Sequence, residues 1–160
     1  MPDARAFLQG WAARFFRNKD AVLRQTVDVA EGDGWITVKY PHKEVRAIIL
    51  PDLTEMDPAS LQGKGEHLVV VTLNTERNVE AVVKKWDALA RHPSLSFYFV
   101  NPWSDGKWAL NPRLHDQVSD ARSLRQGLLS LFAMVPALDE REIAERLHGA
   151  GGQSPRGHEG

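Results

Sequence analysis

The chain has 160 residues, 42% hydrophobic and 26% charged, with a formal net charge of −1 and no cysteine. That length suffices for one domain with its own core, without metals or crosslinks. Near-neutrality removes any global bias toward nucleic acid or a membrane surface, and the lack of cysteine excludes disulfides, a thiolate nucleophile and thiolate zinc sites.

No basic segment followed by a long apolar core opens the chain, so a secretory signal is not expected. The longest run nearly free of polar residues, Leu128 to Leu138, contains Pro136 and is far shorter than the roughly 20 residues a spanning helix needs. A cytoplasmic domain is the expectation.

Asp3 is placed to cap a first helix running to about Asn18, with Phe7, Leu8, Trp11 and Phe15 on one face. Ala21 to Ala30 alternates as a strand, Glu31-Gly32-Asp33-Gly34 reads as a turn, and Trp35 to Tyr40 and Val45 to Leu50 follow as strands. Residues 21–50 are therefore predicted to form an antiparallel meander. Asp57-Pro58 resembles a cap followed by proline at the first helical position, in a connection expected to be mobile up to Gly63 and Gly65.

His67 to Leu73 is a short β-branched run suited to a strand covered on both faces. Val79, Val82, Val83, Trp86, Leu89 and Ala90 then form a helical stripe, with Asn74 or Thr75 as cap, Glu80 paired to Lys84, and His92-Pro93 as the stop. Leu95 to Val100 resumes a strand. Two strands joined by such a helix are predicted to be parallel neighbours whose C-terminal ends share one edge, where ligands of open α/β sheets bind.

Asp105-Gly106 predicts a two-residue hairpin loop, across which Trp103 and Trp108 would face each other. Ser119 or Asp120 caps a helix bearing Leu124, Leu128, Leu131, Phe132 and Val135, ended by Pro136. Asp139 and Glu142 make a capping box, Leu138 and Ile143 a hydrophobic staple, and Gly149 a C-terminal cap, so a last helix is predicted from about Glu140 to His148. The sum is a single α/β domain over residues 1–149, a mixed sheet of an antiparallel meander plus a βαβ unit with helices at both chain ends. Residues 150–160 are expected to be a disordered tail.

Candidate ligand-binding residues gather where the strands end. Asn74, Thr75, Arg77 and Asn78 follow the first parallel strand at a helix N-terminus that favours an anion, and Asn101, Ser104 and Asp105 follow the second. Arg113, His115 and Asp116 form another group, since a histidine beside a carboxylate can act as a base. Trp103 and Trp108 are candidate interface residues. The six histidines show no ligand spacing, and no motif asks for a cofactor or a metal. Asp52, Glu55, Asp57 and Glu66 make an acidic stretch without the ordered spacing of a calcium loop.

The order helix, three strands, helix, strand resembles the core of restriction-endonuclease-like nucleases, whose site uses Pro-Asp and a later acidic-x-Lys motif. Pro51-Asp52 matches the first part, whereas Glu66 is followed two residues later by Leu68 rather than lysine. The resemblance, over roughly residues 3–100, implies a two-carboxylate metal site with an activated water. The leading expectation is instead a binding or interaction domain that uses the hairpin and the adjacent strand edge, with a protein partner or a second copy of the chain. The alternative is a metal-dependent hydrolase, a nuclease-like protein or an enzyme for a small anionic ligand.

Overall fold

Alternating apolar and polar residues build the first half of the sheet in the computed structural model, which describes residues 4–19, 28–61, 67–118 and 120–152. Strands β1 (Asp28–Gly32), β2 (Trp35–Lys39) and β3 (Glu44–Ile49) pair antiparallel as the expected meander. Of the first strand's expected extent, residues 20–27 lie outside the described residues. The β1–β2 turn is Asp33-Gly34, where Gly34 takes a φ of 86° that L side chains rarely adopt.

The β-branched run becomes β4 (His67–Leu73), parallel to β3, and β5 (Leu95–Asn101) lies parallel to β4. Strand β6 (Gly106–Leu110) returns antiparallel to β5, so the order is β1-β2-β3-β4-β5-β6. The fold is α/β with one six-stranded mixed sheet.

Helices cover both faces. On one face α2 (Glu76–Lys84), α3 (Trp86–Ala90) and α5 (Ala121–Ala133) enclose a core that includes Val70, Phe97, Phe99, Trp108 and Leu128. On the other, α1 (Ala4–Lys19) buries Leu8, Trp11, Ala12, Ala13 and Phe16 against Ile36, Val38, Ala47 and Val71. Helix α4 (Pro112–Val118) packs on α3, and α6 (Glu140–Gly152) follows α5 on the α1 side. No described helix is long and apolar enough to cross a membrane.

The single helical stripe predicted between β4 and β5 is broken at Lys85, whose φ of −108° and ψ of 19° leave the α region. Its ammonium turns back to donate to the carbonyls of Leu53, Thr54 and Met56, at 3.2, 3.2 and 2.6 Å. Together with buried Leu53, Met56 and Leu61 and a 3₁₀ turn at Pro58–Leu61, this pins much of the connection expected to be mobile. Glu80 does not take Lys84 as its main partner; both its oxygens accept from Arg125 of α5, with Nε at 3.0 Å from each. The planar guanidinium matches a carboxylate as a lysine cannot, and the pair ties α2 to α5.

The hairpin differs from expectation. Gly106 already pairs with Asn101, so the loop is Pro102–Asp105, with Asp105 itself at a φ of 65°. Trp103 stacks on Phe7 at 4.9 Å with the Arg146 guanidinium 5.5 Å from its ring, whereas Trp108 stacks on Phe99 at 4.3 Å on the opposite face. An odd offset of five residues would put them on opposite faces even in regular strand. Gly106 serves a close approach: a Cβ there would lie 3.0 Å from Val135 Cγ1 and 3.4 Å from Pro136 Cδ. Helix α6 also runs past Gly149 to Gly152.

Two glycines give opposite expectations. Gly106→Val should lower the unfolding free energy by about 1–3 kcal/mol through overpacking against Val135 and Pro136. Gly127→Ala, in an exposed stretch of α5 with nothing within 4 Å of the added carbon, should raise it by about 0.5–1 kcal/mol. Urea titration of both variants reads the two signs.

Candidate site at the ends of strands β3 and β4

Most of the polar residues expected at the β4–β5 edge are consumed by the fold. Asn74, fully buried, shares its Nδ2 protons among the carbonyls of Phe132, Val135 and Pro136 at 3.2–3.4 Å, while its Oδ1 accepts from Trp108 Nε1 at 2.8 Å. An indole nitrogen only donates, so the amide's orientation is determined. Asn101 bonds Pro136 O through Nδ2 at 3.0 Å and receives the amides of Trp103 and Ser104 on Oδ1. Leu138 N donates to Asn74 O at 2.9 Å. The segment from Phe132 to Leu138 is thus strapped across the ends of β4 and β5, where the open crevice was expected.

Most of the remaining candidates are engaged as well. Thr75 caps α2 by accepting from Asn78 N at 3.0 Å. The Ser104 hydroxyl accepts from Gly106 N, and the Asp105 carboxylate accepts from Trp11 Nε1 at 2.6 Å. His115 Nδ1 sits 3.0 Å from Asn111 O, whereas Asp116 accepts from Trp86 Nε1 at 2.9 Å, so the two side chains do not form a dyad. Arg113 is exposed on α4 beside them. Trp108 is in the core at 8% exposure, and Trp103 is half-buried between α1 and α6. Neither presents the exposed hairpin surface expected of an interface pair, because each side of the sheet has a helix above it.

Asn78 has a further effect. Its Nδ2 donates to Pro51 O, Thr72 Oγ1 and Leu73 O at 2.8–3.0 Å, and its Oδ1 accepts from Leu53 N at 2.8 Å. The amide therefore grips the backbone on both sides of Asp52 and sets that carboxylate beside Arg77, the residue preceding Asn78. Arg77 Nη2 lies 3.3 Å from Asp52 Oδ2 and 3.3 Å from Thr54 Oγ1. Partial burial acts to raise the Asp52 pKa, but bonds from the Thr54 hydroxyl and amide and the charges of Arg77 and Lys85 outweigh it, holding the carboxyl below the usual aspartate range.

This ion pair stands at the mouth of a cleft of about 300 Å³. Its polar side is Asp52, Thr75, Arg77 and Asn78, and its apolar side is Pro51, Leu73 and the Ile143, Ala144 and Leu147 face of α6. Helix α6 is seated there by the expected capping bond, Glu142 N to Asp139 Oδ1 at 2.7 Å, and by Leu138 and Ile143 in the α1-side core. Sequence reading placed Thr75, Arg77 and Asn78 near this spot and missed the α6 wall. Ile143 was expected only as the staple partner of Leu138, which says nothing of the cleft that it and Leu147 line.

The nuclease-like arrangement is not assembled among the described residues. Asp52 of Pro51-Asp52 is directed to Thr54 and Arg77, Glu66 lies outside the described residues, and among the described residues the helical element between β3 and β4 is the 3₁₀ turn at Pro58–Leu61. No group of three or more histidine, cysteine, aspartate or glutamate residues able to hold a metal occurs among the described residues. No protein-family model, no curated protein and no solved structure matches the chain.

Asn74→Ala would leave the Trp108 indole donor and the Val135 carbonyl without their partner in a buried place. The expected cost is about 3 kcal/mol, the upper end for an unsatisfied buried group, read by urea unfolding. Near-UV circular dichroism should change with it, since Trp108 loses its anchor.

Proposed function

We propose that this protein is a cytoplasmic binding domain whose small-molecule site is the cleft between α6 and the ends of β3 and β4. The observation that carries the reading is the pairing, in one concavity, of a positioned ion pair with an apolar helix wall. Clefts that bind small ligands combine mostly apolar lining with a few fixed polar groups, and in parallel-stranded sheets they lie at strand C-terminal ends. Within the cleft the chemistry favours binding over catalysis. Asp52 is held as the anion and so makes a weak base, and the Thr75 hydroxyl is already committed to capping α2.

Ligand-dependent melting tests this. A panel of small organic acids, amines and zwitterions should contain a compound that raises Tm by roughly 5–10 °C when present at 100 times its Kd. Ala144→Trp, on an exposed position of α6, fills the cleft and should abolish that shift while leaving the unliganded Tm nearly unchanged. A panel without a hit, or a shift that survives Ala144→Trp, overturns the proposal.

A second reading, association with a protein partner through the β5–β6 hairpin, is favoured by a separate observation. Arg14 and Lys19 of α1 and Lys107 of β6, with Asn18 and an Asp105 carboxylate already bonded to Trp11 Nε1, ring a depression of about 340 Å³ floored by Trp11 and Phe15. Among the described residues none of the three cations has a carboxylate within ion-pair distance, so the fitting partner is an acidic segment lying along β6. A fluorescent oligoglutamate peptide should bind in low salt, weaken with added salt, and lose affinity in an Arg14→Glu, Lys107→Glu double variant. Light scattering on the same samples reports whether a second copy of the chain is the partner instead, and binding indifferent to both charge changes rejects this reading.

A further inference from the structure

The two charges at the mouth of the α6 cleft are opposite in sign, adjacent and half-exposed, with side-chain exposures of 49% for Arg77 and 55% for Asp52. A ligand carrying a single negative charge would meet Arg77 but be repelled by the carboxylate beside it. A simple amine would meet the reverse. A molecule carrying an ammonium and a carboxylate on one carbon satisfies both groups at once and adds no net charge to the site.

The carboxylate of Asp52 has room for such a partner: Oδ1 takes both Thr54 bonds, Oδ2 takes Arg77, and a carboxylate offers about four acceptor positions. Arg77 brings a planar fork suited to a carboxylate. Apart from Thr75 and Asn78, whose polar atoms are bonded within the fold, the rest of the lining is apolar: Ala4, Pro51, Leu73 and, one helical turn apart on α6, Ile143 and Leu147 with Ala144. At about 300 Å³ the space is at the lower limit for small-molecule pockets and suits a compact ligand rather than a nucleotide.

We infer that the ligand of this cleft is a free α-amino acid with an apolar side chain, its carboxylate on Arg77, its ammonium on Asp52 and its side chain against Ile143 and Leu147. This rests on the reading of the cleft as a small-molecule site. It also predicts rejection: blocking either end of the amino acid removes one of the two charges and leaves Asp52 or Arg77 facing an uncharged group.

Isothermal titration of the full chain with L-leucine and L-phenylalanine, alongside N-acetyl-leucine, leucinamide and glycine, tests the assignment. At least one of the two free amino acids should bind saturably. Capping either end, or changing Arg77→Gln or Asp52→Asn, should weaken it roughly tenfold or more, the scale of one lost charge-assisted bond. Glycine and the Leu147→Ala variant should also bind more weakly, since they lose only apolar burial. Circular dichroism of each variant confirms that the fold is retained, and Thr54→Val offers a second change at Asp52 should either charge variant not fold.

N-acetyl-leucine binding as tightly as leucine would overturn the inference while leaving the cleft a monoanion site. If none of these probes binds, a melting-panel hit that Ala144→Trp abolishes rejects the amino acid and keeps the site. The absence of any such hit rejects both.

Discussion

Among the described residues every buried polar side chain but Thr37 lies at the ends of β4 and β5 or in the first turn of α2, and satisfying these groups constrains what surrounds them. Asn74, Asn78 and Asn101 are at most 4% exposed, and each amide is oriented by a partner that can only donate: an indole N–H or a backbone amide. An unpaired buried amide costs about 1–3 kcal/mol, a large share of the 5–15 kcal/mol by which a domain is stable. The chain therefore has to bring carbonyls to this edge. It does so by ending α5 at Ala133, passing Val135 and Pro136 over Gly106, and starting α6 on the other side of the sheet.

That route determines where an open cleft can remain. The strap closes the β4–β5 edge, so the concavity moves one strand pair over, to β3–β4, where α6 descends as an apolar wall. Asn78 belongs both to the buried network and to the cleft lining, because it holds the backbone before and after Asp52. The floor of the cleft is accordingly rigid through the same bonds that stabilise the sheet edge, and a ligand there would meet charges already in place rather than charges it had to order.

The architecture was legible wherever one residue period dominated. The valine-rich run, the meander, the Asp120 cap and the Asp139 cap each appear as local patterns, and each forms because the pattern satisfies its own backbone and its own face; the Glu142 carboxylate, expected to complete a capping box, accepts instead from Arg146. What was not legible depends on distant partners. Nothing near Asn74 in sequence shows that its amide meets carbonyls some 60 positions away, so asparagines that fasten a strap look the same as asparagines that bind an anion. The Asp105-Gly106 pair was read as a turn dipeptide, but the positive φ belongs to Asp105 and the glycine is required by Val135 and Pro136 packed above it. Nor does any local pattern mark Lys85 as the residue that ends α2 and reaches the Leu53–Met56 carbonyls, 29 to 32 positions away.

Energetic contrast between the two kinds of polar contact explains why one edge is sealed and the other can exchange partners. Exposed ion pairs such as Arg5–Asp33, Arg141–Glu145 and Arg77–Asp52 have side chains 49–91% accessible to water, and pairs of that kind contribute about 0–1 kcal/mol. Opening Asp52 and Arg77 toward an incoming charge therefore costs little, since water already competes for both. Opening Asn74 would strand the Trp108 indole proton and the Val135 carbonyl in a buried place. The Asp52–Arg77 contact at the rim can therefore exchange with water far more cheaply than the buried amide bonds at the strand ends, and the proposed ligand site draws on the first kind of contact and not the second.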